Sequence, residues 1–185
     1  MYHPNAALST AKALDRTVII VIIKLTAKGV EAMSDKYMQL ALKEAYDGIS
    51  DGDGGPFGCV IVKGGRVVGS GHNRVLAEKD PTCHGEIEAI RSACKNLGTH
   101  DLSGCELYTT AEPCPMCLGA IMWANIDKVY YGCSRLDTAD IGFRDDEFYQ
   151  HIKGEAKVVE LCECDRKSCL ELFESYKAKT DKVQY

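Results

Sequence analysis

Two short segments constrain this chain more than anything else in it: His84-Gly85-Glu86 and Pro113-Cys114-Pro115-Met116-Cys117. Both read as helix openings. Proline suits the first turn of a helix, where its missing N–H is not needed. The unpaired backbone N–H groups and the dipole there favour thiolates, so Cys114 and Cys117 become good ligands for a soft divalent ion. With His84 they offer one nitrogen and two sulfurs, a set that fits tetrahedral zinc with its fourth position open to water. The fold must therefore bring two separate helix starts to one place. Glu86, two residues from the His84 ligand, is the candidate base and acid, because a water acidified by zinc still needs a partner for its proton.

Other readings of these residues remain open. A closed structural zinc site needs a fourth protein ligand, and no Cys or His stands at short-range spacing beside either segment apart from Cys83, poorly placed to chelate with its neighbour His84. A disulfide between Cys114 and Cys117, as in redox Cys-x-x-Cys motifs, leaves His84 and Glu86 without a role. A non-catalytic zinc module that binds a partner differs from an enzyme in having no use for Glu86.

The surrounding pattern gives the architecture. From Ser34, apolar residues at Met38, Ala41, Leu42, Ala45 and Ile49 predict an amphipathic helix behind a Ser or Asp cap. Gly48 to Gly58 ends it. Cys59–Val62 and Arg66–Gly69 read as two antiparallel strands joined by Gly64-Gly65. Asp80-Pro81-Thr82 opens a second helix, striped by Ile87, Ile90, Cys94 and Leu97 and closed by Gly98. Strand Glu106–Thr110, helix Pro115–Asn125 and strand Lys128–Cys133 follow. A last strand over Lys157–Leu161 precedes a helix starting at Ser168, with Ser168 and Glu171 at capping-box spacing. The alternation predicts an α/β fold, a three-layer α/β/α sandwich around a mixed five-stranded sheet.

Composition narrows the partners. The net charge of -5 provides no sequence-wide positive field for a polyanion, so nucleic acid is disfavoured. Residues 1–32 read as an extension, poorly ordered or reflecting a misassigned start, because Met33-Ser34-Asp35 looks like a natural beginning; residues 33–185 form the domain. Val18–Ile23 is an apolar run far below the ~20 residues that cross a bilayer, so no membrane span is expected. Ten cysteines lack a secreted disulfide pattern and suit the reducing cytoplasm. Cys59, Cys94, Cys105 and Cys133 read as small buried hydrophobes. Cys162, Cys164 and Cys169 are either packing residues on a strand or part of a second metal site.

Residues from Gly54 to Phe148 resemble the cytidine deaminase-like superfamily, through His84-Gly85-Glu86, Asp80-Pro81-Thr82 and Pro113-Cys114-Pro115-Met116-Cys117. Within it, Gly54-Gly55-Pro56-Phe57-Gly58, Glu112–Ile121, Gly142-Phe143-Arg144-Asp145-Asp146 and Tyr185 are most similar to the bacterial guanine deaminases. The resemblance implies a Zn2+-dependent aminohydrolase of purine catabolism that converts guanine and water to xanthine and ammonia. It also implies a homodimer in which a swapped C-terminal segment covers the site. It assigns purine contacts to Asn73, Asp145 and Tyr185. An Asn side chain offers both a donor and an acceptor to a base edge. Phe57 and Trp123 are candidates to stack on the ring or form a lid, or else to pack in the core. Gly85 stands where relatives commonly carry Ala and is expected to enlarge or reshape the pocket floor. The rival substrates are a tRNA adenosine, cytosine, guanosine or a pterin; Asp145, Asp146 and Glu147 argue against a polyanionic one.

Overall fold

The structure, a computed structural model, describes residues 36–183. The readings made for residues 1–32 and for Tyr185 lie outside them. The described residues divide into two compact units, residues 36–146 and 147–183.

The first unit is built on a hairpin. Strands β1 (Gly58–Lys63) and β2 (Arg66–His72) pair antiparallel across Gly64 and Gly65, both at positive φ, as a tight two-residue turn requires. A register shift between Ile61 and Val62 marks a bulge. Strand β3 (Cys105–Ala111) joins the other edge of β1 antiparallel, and β4 (Lys128–Cys133) joins β3 in parallel. The sheet order is β2-β1-β3-β4. This mixed sheet has four strands where five were expected.

Alternation along β1 and β3 sends side chains to opposite faces, and helices cover both. Helix α1 (residues 36–51) lies on one face, where Tyr37 and Ala41 pack with Val60, Val62 and Tyr108. Tyr37, Tyr108 and Tyr130 form an aromatic row with centroid spacings of 5.1 and 4.6 Å. On the other face, α3 (Gly85–Leu97) and the segment carrying α4 (Pro115–Trp123) enclose Cys59, Ile61, Leu102, Cys105 and Leu107. The α/β/α layering is thus present.

Small residues set the helix-to-sheet distances. A Cβ at Gly69 would stand 2.5 Å from the Ala89 carbonyl oxygen and 2.7 Å from the Ala93 nitrogen, so α3 rests on β2 through backbone atoms. Across the sheet, a Cβ at Gly58 would overlap the Ala41 carbonyl oxygen of α1. No side chain could occupy either seam without moving a helix.

Three short helices were not foreseen: α2 (Val75–Glu78), α5 (Arg135–Asp140) and the start of α6 (Asp145–Lys153). Several boundaries also move. Asp80-Pro81-Thr82 forms a turn closed by Asp80 Oδ1, which accepts from the Thr82 backbone and hydroxyl at 2.8 Å, and the helix begins only after His84. Cys133 is exposed rather than packed, because β4 is an edge strand.

The second unit carries the rest of α6 and α7 (Arg166–Ala178). Helix α7 starts two residues before Ser168, and its cap is Asp165, whose side chain accepts from the Ser168 N–H. The expected strand Lys157–Leu161 is irregular and exposed. Its β-branched residues have high strand propensity, but a strand needs a ladder partner, and none pairs with it among the described residues. Cys162, Cys164 and Cys169 are exposed and form no ligand cluster among the described residues.

Candidate active site and metal centre

His84 and Cys114 occupy equivalent places. Each is the N-cap of a helix, in extended conformation, and neither side chain caps its own helix. Their carbonyls accept the first helical bonds, from Glu88 N at 3.0 Å and Leu118 N at 2.8 Å. The side chains are left to project beyond the helix starts. Cys117 sits in the first turn of α4, and the two helix N-termini aim their positive ends at the same point.

There the predicted ligands meet. His84 Nδ1 is 3.6 Å from the Sγ of Cys114 and 3.6 Å from the Sγ of Cys117. The three ligand atoms all lie within 4.8 Å of one another, and they form the one such group among the described residues. Zinc–sulfur bonds of ~2.3 Å and zinc–nitrogen bonds of ~2.05 Å at a tetrahedral angle give a nitrogen-to-sulfur edge of about 3.6 Å. The donor set therefore fits zinc in kind and in spacing. The group has three members, so an ion held tetrahedrally by them would have one position left for solvent or substrate. Cys114 and Cys117 are free thiols.

Electrostatics favour a thiolate in this corner. Cys114 is held down to about 4, first by the thiol of Cys117 donating to it and next by His84. Cys117 is pushed up, because it gives that hydrogen bond and is buried. His84 is raised chiefly by its bond to Cys114. Glu86 is 5% exposed, and its Oε2 lies 3.5 Å from Cys117 Sγ. Burial lifts its carboxyl from 4.5 to about 7, where it can both take and give a proton near neutrality.

The remaining expected site residues divide. Asp145, half-buried at the start of α6, stands close enough to act on His84; burial, and after it the negative charge at Cys114, raises its pKa. Phe57 meets Phe143 edge to face, with centroids 4.7 Å apart. Asn73 is buried, but its Oδ1 accepts from Gly55 N at 3.2 Å and Val75 N at 3.3 Å. Its acceptor is thus committed to the backbone, and only its NH2 can face a ligand, a correction to the donor-and-acceptor reading. Gly85 does not open a pocket floor: a Cβ there would stand 2.9 Å from the Phe57 carbonyl oxygen, so the glycine lets α3 approach β1. Trp123 closes α4 at the end remote from Cys114 and is 70% exposed, so it is not part of the core.

The sequence alone did not single out Thr110, Arg135 or the pairing role of Glu112. The Thr110 hydroxyl accepts from Gly58 N at 3.2 Å and donates to the Pro56 carbonyl at 3.3 Å, which holds the Phe57 loop against β3. Arg135 donates to Glu112, two residues before Cys114, and to Asp146.

Comparison with known proteins agrees with this geometry. The family model of the cytidine and deoxycytidylate deaminase zinc-binding region matches residues 32–133, which take in His84, Glu86, Cys114 and Cys117. Fold and site thus define a zinc-binding deaminase. Guanine deaminase of Bacillus subtilis is 40% identical over 153 residues, 82% of this chain and 98% of that protein. Its X-ray structure superposes with a TM-score of 0.77 over the same shares. A guanine deaminase structure from Nitrosomonas europaea matches with a TM-score of 0.57 and 29% identity, over 77% of this chain and 84% of that one. The tRNA-specific adenosine deaminase of Aquifex aeolicus is 44% identical over 51% of this chain and 62% of its own length. The chain belongs to the cytidine and deoxycytidylate deaminase family.

Proposed function

We propose that the protein is a guanine deaminase, which replaces the C2 amine of guanine with the oxygen of water and releases xanthine and ammonia. The observation that carries this reading is the likeness to a guanine deaminase along 98% of that protein's length, whereas the likeness to the Aquifex tRNA deaminase stops at half of this chain. In this reading His84, Cys114 and Cys117 hold zinc. Zinc in such a set acidifies the hydrolytic water.

The chain's own residues do the rest. Glu86 accepts one water proton as the oxygen bonds to C2 and delivers it to ring N3; it then takes the proton of the new C2 hydroxyl and passes it to the amine, which leaves as ammonia as the C2–N bond breaks and C2=O forms. The buried carboxyl, near 7 in the protein, suits both directions of transfer. The free NH2 of Asn73 donates to an acceptor on the base, and Asp145 accepts from a ring N–H or an amine. Phe57 and Phe143 provide an apolar wall for the ring.

Residues 33–185 make up the deaminase domain in this proposal, and the protein works in purine catabolism as a cytoplasmic homodimer. The free state of all ten cysteines supports a reducing compartment. Helix α7 and its flanks expose Leu161, Leu172, Phe173 and Val183, apolar surface that a partner would cover. The C-terminal segment is read as swapped between subunits, bringing Tyr185 to the partner's base, and exposed Trp123 as facing the partner.

Ammonia release from guanine, guanosine, cytosine, a pterin and an adenosine-bearing tRNA stem-loop tests the assignment. Xanthine formation from guanine is expected. Turnover of the stem-loop with guanine inert would replace it by the tRNA reading.

A further inference from the structure

The group joining Arg135, Glu112 and Asp146 lies beside the centre but takes no part in the chemistry above. Helix α5 is anchored by Ser134, whose backbone N–H and hydroxyl donate to Asp137 Oδ2 at 2.7 and 2.6 Å. That fixes the backbone of Arg135, whose N–H donates to Glu112 Oε2 at 3.0 Å. The side chain returns to the same carboxylate, Nη1 to Oε1 at 3.4 Å, and reaches Asp146 Oδ1 through Nε at 3.0 Å. Glu112 is itself held, its backbone N–H donating to the Cys133 carbonyl at 2.8 Å.

We propose that Arg135 is a positioning residue: it ties the loop that carries Cys114 to the first turn of α6, and so sets the direction in which Asp145 faces the site. Consecutive residues of a helix diverge by ~100° about its axis. Once Asp146 is held, the rotation of that first turn is fixed, and Asp145 has one direction left. Gly142, at φ +93, turns the chain between α5 and Asp145; its N–H donates to the Ala139 carbonyl at 2.9 Å and that of Phe143 to the Thr138 carbonyl at 3.3 Å, so the connection leaves α5 in a set direction and Arg135 adds the hold at its far end. An exposed ion pair would contribute almost nothing. These side chains are only 34%, 22% and 28% exposed, and one guanidinium serves two carboxylates, which its planar fork allows and a lysine could not.

This inference rests on the reading that Asp145 meets the base. The test uses the zinc-loaded full chain with guanine, comparing Arg135→Ala and Asp146→Asn, each alone and with Asp145→Asn. A rise in KM of about tenfold is expected from either single change, with kcat moved less and zinc content intact. No further loss is expected when either is added to Asp145→Asn. Hydrogen exchange supplies a readout independent of substrate: amides of residues 142–147 should exchange faster in both variants, while β1 and β3 keep their protection. Losses that multiply in the double variants, or unchanged exchange over 142–147, would overturn the proposal. Inactivity of the unmodified protein on guanine would sink the functional assignment instead, and the exchange result would still decide the role of Arg135.

Discussion

Replacing Glu86 with Gln should stabilise the metal-free protein while abolishing most of its activity, and the pH dependence of the gain can be worked from the structure. Below pH 4.5 the carboxyl is protonated in both folded and unfolded chains, so it contributes no difference. Between 4.5 and about 7 the unfolded chain releases its proton while the fold retains it, because burial resists the charge. Stability therefore falls as pH rises through this window, and the loss is complete above 7. At about 1.4 kcal/mol per pH unit, the rise from 4.5 to about 7 amounts to ~3 kcal/mol. Gln keeps the shape of the protonated acid and escapes the loss. Urea unfolding of the reduced, chelator-treated protein between pH 4.5 and 8.5 should show equal stabilities at the acid end and an advantage of ~3 kcal/mol for Glu86→Gln above pH 7. An advantage that does not grow with pH, or a less stable variant at pH 8, would refute the reasoning. Zinc-loaded Glu86→Gln should lose roughly 10²–10⁴ in kcat, since it cannot transfer the proton.

Three further outcomes are expected. Gly69→Ala should lower the unfolding free energy by ~1–3 kcal/mol in denaturant titration, because its Cβ meets the backbone of α3 and not a side chain that can turn aside. Asn73→Ala should lower stability by ~1–3 kcal/mol and raise KM for guanine, as Gly55 N and Val75 N lose their acceptor. Cys114→Ala or Cys117→Ala should purify with zinc far below one ion per chain by metal analysis, and a strong chelator should abolish ammonia release from the unmodified protein in a way that added zinc reverses.

The metal segments were legible in the sequence because their chemistry is local: two thiols three positions apart at a helix start can reach one point whatever surrounds them. The β1–β2 hairpin was legible for a similar reason, since Gly64-Gly65 encodes the turn and alternation encodes the faces. What sequence missed depends on partners remote along the chain. The Lys157–Leu161 segment has the composition of a strand but no ladder to join. Asn73 offered a donor and an acceptor until the fold committed its oxygen to Gly55 and Val75. Gly85 looked like a statement about the pocket, whereas its missing side chain concerns the approach of α3 to Phe57. Arg135, Glu112 and Asp146 come from two helices and the loop between β3 and α4, and no periodicity links them.

The glycine seams bear on how this protein can evolve. Helix α3, which begins beside His84 and carries Glu86, is mounted on β2 through main-chain atoms at Gly69, so the height of the site above the sheet is recorded at a residue with no side chain and no reactivity. A change there removes no reactive group, yet it would shift the metal ligand and the proton carrier together. Drift at the active centre is accordingly policed from a position that takes no part in the reaction.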